Sequence, residues 1–121
     1  MNDNKIKQLY TSNIQNFIAS GEQNADNLAL SAALVSQTLL SGNKVVTCGD
    51  TLGHMMAEHF ASILVNYYEI ERPCLPAIAL NDRVHHCSPY ADPNDDRNDV
   101  YARQIRAIGN DQDILVVFSL N

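Results

Sequence analysis

The residues from Lys44 to Phe60, KVVTCGDTLGHMMAEHF, constrain this chain more than any other stretch. Lys44 to Cys48 is a β-branched, apolar run that reads as a buried strand. Gly49-Asp50-Thr51-Leu52-Gly53 interrupts it, and a helical pattern begins at once. A strand that passes through a glycine-bounded loop into a helix points unpaired backbone N–H groups, and the positive end of the helix dipole, at what lies in front of it. Phosphate or another small anion suits such a place. The same residues also suit an ordinary strand-to-helix connection, because glycines are common punctuation there.

Upstream, Ile6, Leu9, Tyr10, Ile14, Phe17 and Ile18 recur at helical spacing and predict an amphipathic helix over about 4–20, ended by Gly21. A second helix is expected over about 26–41, capped by Asn24 or Asp26 and stopped by Gly42. Downstream, a third helix runs from about Gly53 to Tyr68, and Pro73 and Pro76 punctuate the connection that follows. Ala77 to Leu80 reads as a second short strand. Residues 81–97 are polar, hold Pro89 and Pro93, and read as a long surface loop. A fourth helix is expected from about Asp99 to Ile108, stopped by Gly109, and a third strand from Ile114 to Phe118. After the two opening helices the order is β-α-β-α-β, which means an α/β fold with a parallel sheet and right-handed crossovers. Ligands of such sheets lie outside the carboxyl ends of the strands, which here are Cys48–Gly53, Leu80–Asp82 and Ser119–Asn121.

A length of 121 residues fits one domain. The net charge of −6 argues against direct binding of nucleic acid or an anionic membrane, because like charges repel. The opening MNDNKIKQLY has no apolar core of a secretory signal, and no run reaches the length of a membrane span. Cys48, Cys74 and Cys87 are sparse and lack CxxC spacing, which fits free thiols in a reducing cytoplasm.

Four segments together resemble a known family. EIERPCLPAIALN (69–81) is similar to the ERPxLPAIAL segment of bacterial sugar-isomerase (SIS) domain proteins, which include phosphoheptose isomerases and a replication-initiator-associating, DiaA-like branch. SGNKVVTCG (41–49) resembles their GNKxxxCGNGxS region. DVYARQIRAIG (99–109) and DILVVFS (113–119) resemble their VYxxQVRALG and DVLLAIS segments. The resemblance implies a three-layer, flavodoxin-like sheet that binds phosphorylated sugars between two serine-containing loops. It also implies a homo-oligomer, dimer or tetramer, packed through its leading helices (residues 1–42, with 43–121 forming the sheet part of one domain). In the isomerases it further implies conversion of sedoheptulose 7-phosphate, assisted by zinc.

Carried over by position, the phosphosugar-binding candidates are Gly49, Asp50, Thr51, Leu52, Gly53 and Ser119. Here the resembling motif departs from CGNGGS or CGNGTS. Gly53 stands where the family has its serine, and Asp50 replaces an asparagine, putting a carboxylate where phosphate would approach. The isomerase HFxxE pattern leaves His59 as the one metal candidate, because Ile63 stands at the glutamate position. His54 and Glu58 share a helix face, but two ligands fall short of a metal site, and a solvated or helix-stabilising pair is the preferred reading. His85-His86-Cys87, beside Asp82 and Asp92, is expected in an extended segment, where at most two of the three face one ion. The segment after the third strand reads Ser119-Leu120-Asn121, so the second phosphate loop and later strands of the family are expected to be missing and the sheet truncated. The resemblance, with these departures, implies a phosphosugar-binding SIS-domain protein with a degenerate catalytic site. The alternative is a non-enzymatic DiaA-like protein that oligomerises and binds a replication initiator or another protein.

Overall fold

The structure, a computed structural model, describes residues 2–87, 89–90 and 99–120. The chain divides into two units, Met1–Leu34 and Val35–Asn121.

The first unit is helical from Asp3 onward. Its helix α1 runs without interruption from Asp3 to Leu40, and its last turns belong to the second unit. The expected break at Gly21 is therefore corrected to one continuous helix. A glycine inside a helix costs only about 1 kcal/mol relative to alanine, and good helix formers flank this one. Asn24, expected as a cap for a second helix, bonds backward inside the first. Its side-chain amide donates to the Ser20 carbonyl at 2.9 Å and to Ser20 Oγ at 3.2 Å. The true end is at Gly42, whose φ of +81° is open to glycine without strain. There the Gly42 N–H meets the Leu39 carbonyl and the Asn43 N–H meets that of Thr38, the paired bonds of a Schellman motif.

In the second unit, β1 (Val45–Gly49) is the middle strand of a parallel sheet of order β2-β1-β3, with β2 at Ala77–Ala79 and β3 at Ile114–Phe118. Every residue of β1 is buried, as its unbroken apolar run requires of a central parallel strand. Helix α2 (Thr51–Val65) lies on one face of the sheet. It turns Gly53, Ala57 and Ala61 toward the strands, and these small residues let it come close. Thr47, fully buried, donates its hydroxyl to the Ala57 carbonyl at 2.8 Å, which pins β1 to α2. Phe118 of β3 and Phe60 of α2 meet on this face with ring centroids 5.8 Å apart. On the other face, Val46, Cys48 and Leu80 form a small core under Tyr101 and Ile105. Those two come from α4 (Val100–Ile108), so the sheet lies between two helices as expected of three layers.

The polar stretch after β2 is not wholly loop. Asn81 Oδ1 accepts from the Arg83 N–H at 2.9 Å and starts a four-residue helix, α3 (Arg83–His86). His85 and His86 thus lie in a helical turn, which corrects the extended segment expected of them. Asp92 and Pro93 lie outside the described residues. Arg72, in the connection after α2, donates to the Ile63 and Leu64 carbonyls at 2.8 and 2.9 Å and caps the helix C-terminus.

Lys44 and Asp113 stand just before β1 and β3, and the register Val45↔Ile114 sets them side by side. Asp113 accepts from the Lys44 ammonium, from the Lys44 N–H at 3.0 Å and from the Asn110 N–H at 2.8 Å. These donors, the Lys44 side chain foremost, lower its pKa to about 2. Because the folded value lies below the unfolded one, the contribution is complete above about pH 4 and is lost as pH falls toward 2. Urea midpoints measured from pH 5 to pH 2 should therefore fall more steeply for the wild type than for Asp113→Asn. Parallel curves would refute this role.

Candidate functional site

The carboxyl ends of β1 and β3 lie side by side, with Gly49 paired to Phe118. The loop that leaves β1 is only Asp50, because α2 already starts at Thr51, two residues earlier than its apolar pattern predicts. Two glycines make so short a connection possible. A Cβ on Gly53 would stand 2.1 Å from the Phe118 carbonyl oxygen and 2.9 Å from its carbon. A Cβ on Gly49 would stand 2.3 Å from the Gly53 carbonyl carbon and 2.7 Å from the Phe118 oxygen. The end of β1, the start of α2 and the end of β3 therefore touch through bare backbone. Thr51 takes φ +38°, a left-handed setting unusual for a β-branched residue, at the position where the resembling motif has glycine.

Asp50 is extended (φ −93°, ψ 147°) at the N-cap of α2, yet its side chain makes no capping hydrogen bond. It turns instead to the neighbouring strand end, where Ser119 Oγ donates to Asp50 Oδ2 at 3.2 Å. The structure thus brings together five of the six proposed phosphosugar residues: Gly49, Asp50, Thr51, Gly53 and Ser119. The sixth, Leu52, follows Thr51 in the chain, and its side chain is largely exposed.

Tyr101 completes this edge and was not foreseen from its residue type. Its hydroxyl lies 3.4 Å from the Gly49 carbonyl oxygen. Burial, then the charges of Asp82, Cys48 and Asp50, push its phenol up from the usual range. Gln104, one turn along α4, donates to the Asn81 carbonyl at 2.7 Å and ties that helix to the end of β2. Two acidic side chains, Asp50 and Asp82, therefore act on one phenol at the mouth of the strand ends. The first turn of α2 opens beside them.

His59 lies on an exposed part of α2. His54 and Glu58 form a helix-surface pair at 3.2 Å with both side chains accessible to solvent. Among the described residues, no three His, Cys, Asp or Glu side chains are grouped as a metal site would need. Ile63 supplies no donor, so these residues do not fit the zinc that the resemblance implies. Cys48 is buried beneath Tyr101, and burial pushes its thiol up, which leaves it a packing residue.

Comparison with known proteins places these features in context. The family model described as "SIS domain" matches residues 9–121. The chain is 38% identical to the DnaA initiator-associating protein DiaA of Erwinia tasmaniensis, over 95% of this chain and 58% of that protein. The corresponding protein of Cronobacter sakazakii is 42% identical with the same coverage. A phosphoheptose isomerase structure from Francisella tularensis superimposes with a TM-score of 0.79 at 34% identity, over 97% of this chain and 61% of that one. The chain thus spans about three-fifths of the length of these relatives.

Proposed function

The chain belongs to the SIS-domain family, and from that membership we propose that it works without catalysis, as an assembling protein that binds a replication initiator. The observation that carries this reading is the Asp50–Ser119 hydrogen bond at the strand ends. It spends the hydroxyl of Ser119 on a carboxylate, while Gly53 offers no second hydroxyl. Ile63 provides neither a metal ligand nor a proton carrier. The names of the relatives at 38–42% identity supply the class of partner, the DnaA initiator. A cytoplasmic location and a homo-oligomeric state, dimer or tetramer, go with this reading. The acidic net charge supports contact with the initiator protein rather than with DNA. No helix among the described residues is long and apolar enough to cross a membrane.

A second reading keeps phosphosugar binding at Gly49, Asp50, Thr51, Leu52, Gly53 and Ser119, with His59 left from a metal site. The α/β framework shared with the phosphoheptose isomerase structure and the uncapped first turn of α2 favour it. One pair of titrations separates the two. Calorimetry with sedoheptulose 7-phosphate, with and without zinc, should give no saturable heat and no turnover, whereas the purified initiator should bind. Saturable binding of the sugar phosphate with none of the initiator would reverse the order of the two readings.

A further inference from the structure

The side chain of Asp50 has two places to go. It stands at the N-cap of α2, where aspartate is among the best capping residues and where its charge complements the helix dipole. It makes no such bond, and accepts instead from Ser119, which lies 69 positions along the chain and at the end of a different strand. The bond joins the carboxyl ends of β1 and β3, which lie side by side. The backbone beneath it is already drawn shut, since Gly53 approaches the Phe118 carbonyl too closely for any side chain.

We infer that Asp50 is a specificity-determining residue: tied to Ser119 across the strand ends, its carboxylate closes these strand ends to phosphate-bearing ligands. Two effects act together. An entering phosphate meets a fixed negative charge within a few ångströms, where screening by solvent is incomplete. It must also break the bond to Ser119, the hydroxyl that would otherwise be free to donate to it. Among the described residues no lysine or arginine pairs with Asp50 to cancel that charge. This exclusion of the small ligand rests on the non-catalytic reading above.

The test is titration of inorganic phosphate into the full chain and into Asp50→Asn and Ser119→Ala, followed by calorimetry and by the amide shifts of residues 51–54. Asparagine matches aspartate in size at an exposed position, so the fold should persist, as an unchanged thermal midpoint would show. The wild type should show no saturable binding at millimolar phosphate. Asp50→Asn should bind at least about tenfold more tightly, the gain expected when a like charge is removed from beside an anion. Ser119→Ala keeps the carboxylate and should remain closed. Phosphate bound equally by wild type and Asp50→Asn overturns the inference, as does an Asp50→Asn protein that still rejects phosphate. Ser119→Ala opening as far as Asp50→Asn would show that the bond, not the charge, excludes, and would also overturn it. Initiator binding measured on the same samples keeps the two proposals apart. A wild type that fails to bind the initiator would refute the partner while leaving the closure of the strand ends untouched.

Discussion

Gly53→Ser, the substitution that restores the serine of the resembling motif, is expected to unfold the protein rather than to revive it. The added Cβ would lie 2.1 Å from the carbonyl oxygen of Phe118, well inside any permitted contact. No rotamer relieves the clash, because the backbone fixes a Cβ and Phe118 is held in register with β1. Either β3 must withdraw from Gly49 or the first turn of α2 must unwind, and both sacrifice the tightest part of the core. The loss should be at least ~4 kcal/mol, a large share of the stability of a small domain. Chemical denaturation checks it, and Gly21→Ala in the exposed part of α1 is the control. Nothing lies within 4 Å of a Cβ at position 21, so that variant should be more stable by about 1 kcal/mol from helix propensity alone. A folded Gly53→Ser protein of wild-type stability would mean that the strand ends are not packed through bare backbone.

The same residue shows what the sequence could and could not convey. Gly53 reads from the sequence as a serine lost, a fact about chemistry, and in the structure it is a side chain forbidden, a fact about space. A carbonyl oxygen 65 residues away leaves no mark in local composition. The strand and helix from Lys44 onward were legible because an apolar run and a helical spacing mark them, whereas the loop between them proved to be Asp50 alone. The edges of α4 and β3 were legible because Gly109 and an apolar run mark them. Pairs formed across the sheet were not. Asp50 with Ser119, and Lys44 with Asp113, need the parallel register before they become neighbours. Once the order β2-β1-β3 is known, both pairs follow, since the first sits at matching strand ends and the second at matching strand starts. Tyr101 stood in a segment that carried the family resemblance, yet nothing in that segment set its phenol apart from any other helix residue. The break at Gly21 failed for the opposite reason. A local signal was weighed without its neighbours, and one glycine among helix formers costs less than a new pair of helix ends with their unsatisfied backbone groups.

That uninterrupted helix leads to the second large expectation. Replacing Ile14 and Phe17 together with glutamate should convert an oligomer into monomers and cost much of the helical signal of α1. The helix has no buried residue along its 38 positions, and Phe17 is 85% exposed in the single chain. Ile6, Leu9, Tyr10, Ile14 and Ile18 lie along the same stretch, also exposed. An amphipathic helix gains most of its stability in water from packing its apolar face, not from intrinsic propensity. Full burial of an isoleucine or phenylalanine side chain contributes roughly 1.5–3 kcal/mol, so these residues against a second copy would hold both the helix and the assembly. Two glutamates remove that contribution and place charges in the apolar contact, where desolvation is costly. Sedimentation at micromolar concentration should find the wild type as a dimer or larger and the double variant as a monomer, with reduced far-ultraviolet ellipticity in the variant alone. The β1–α2–β3 unit should keep its own unfolding transition, because its core of Val46, Cys48 and Leu80 and its Phe60–Phe118 contact use no residue of that stretch. A wild-type chain that sediments as a folded monomer with full helicity would refute the expectation, since the apolar stretch of α1 would then stand in water without cost.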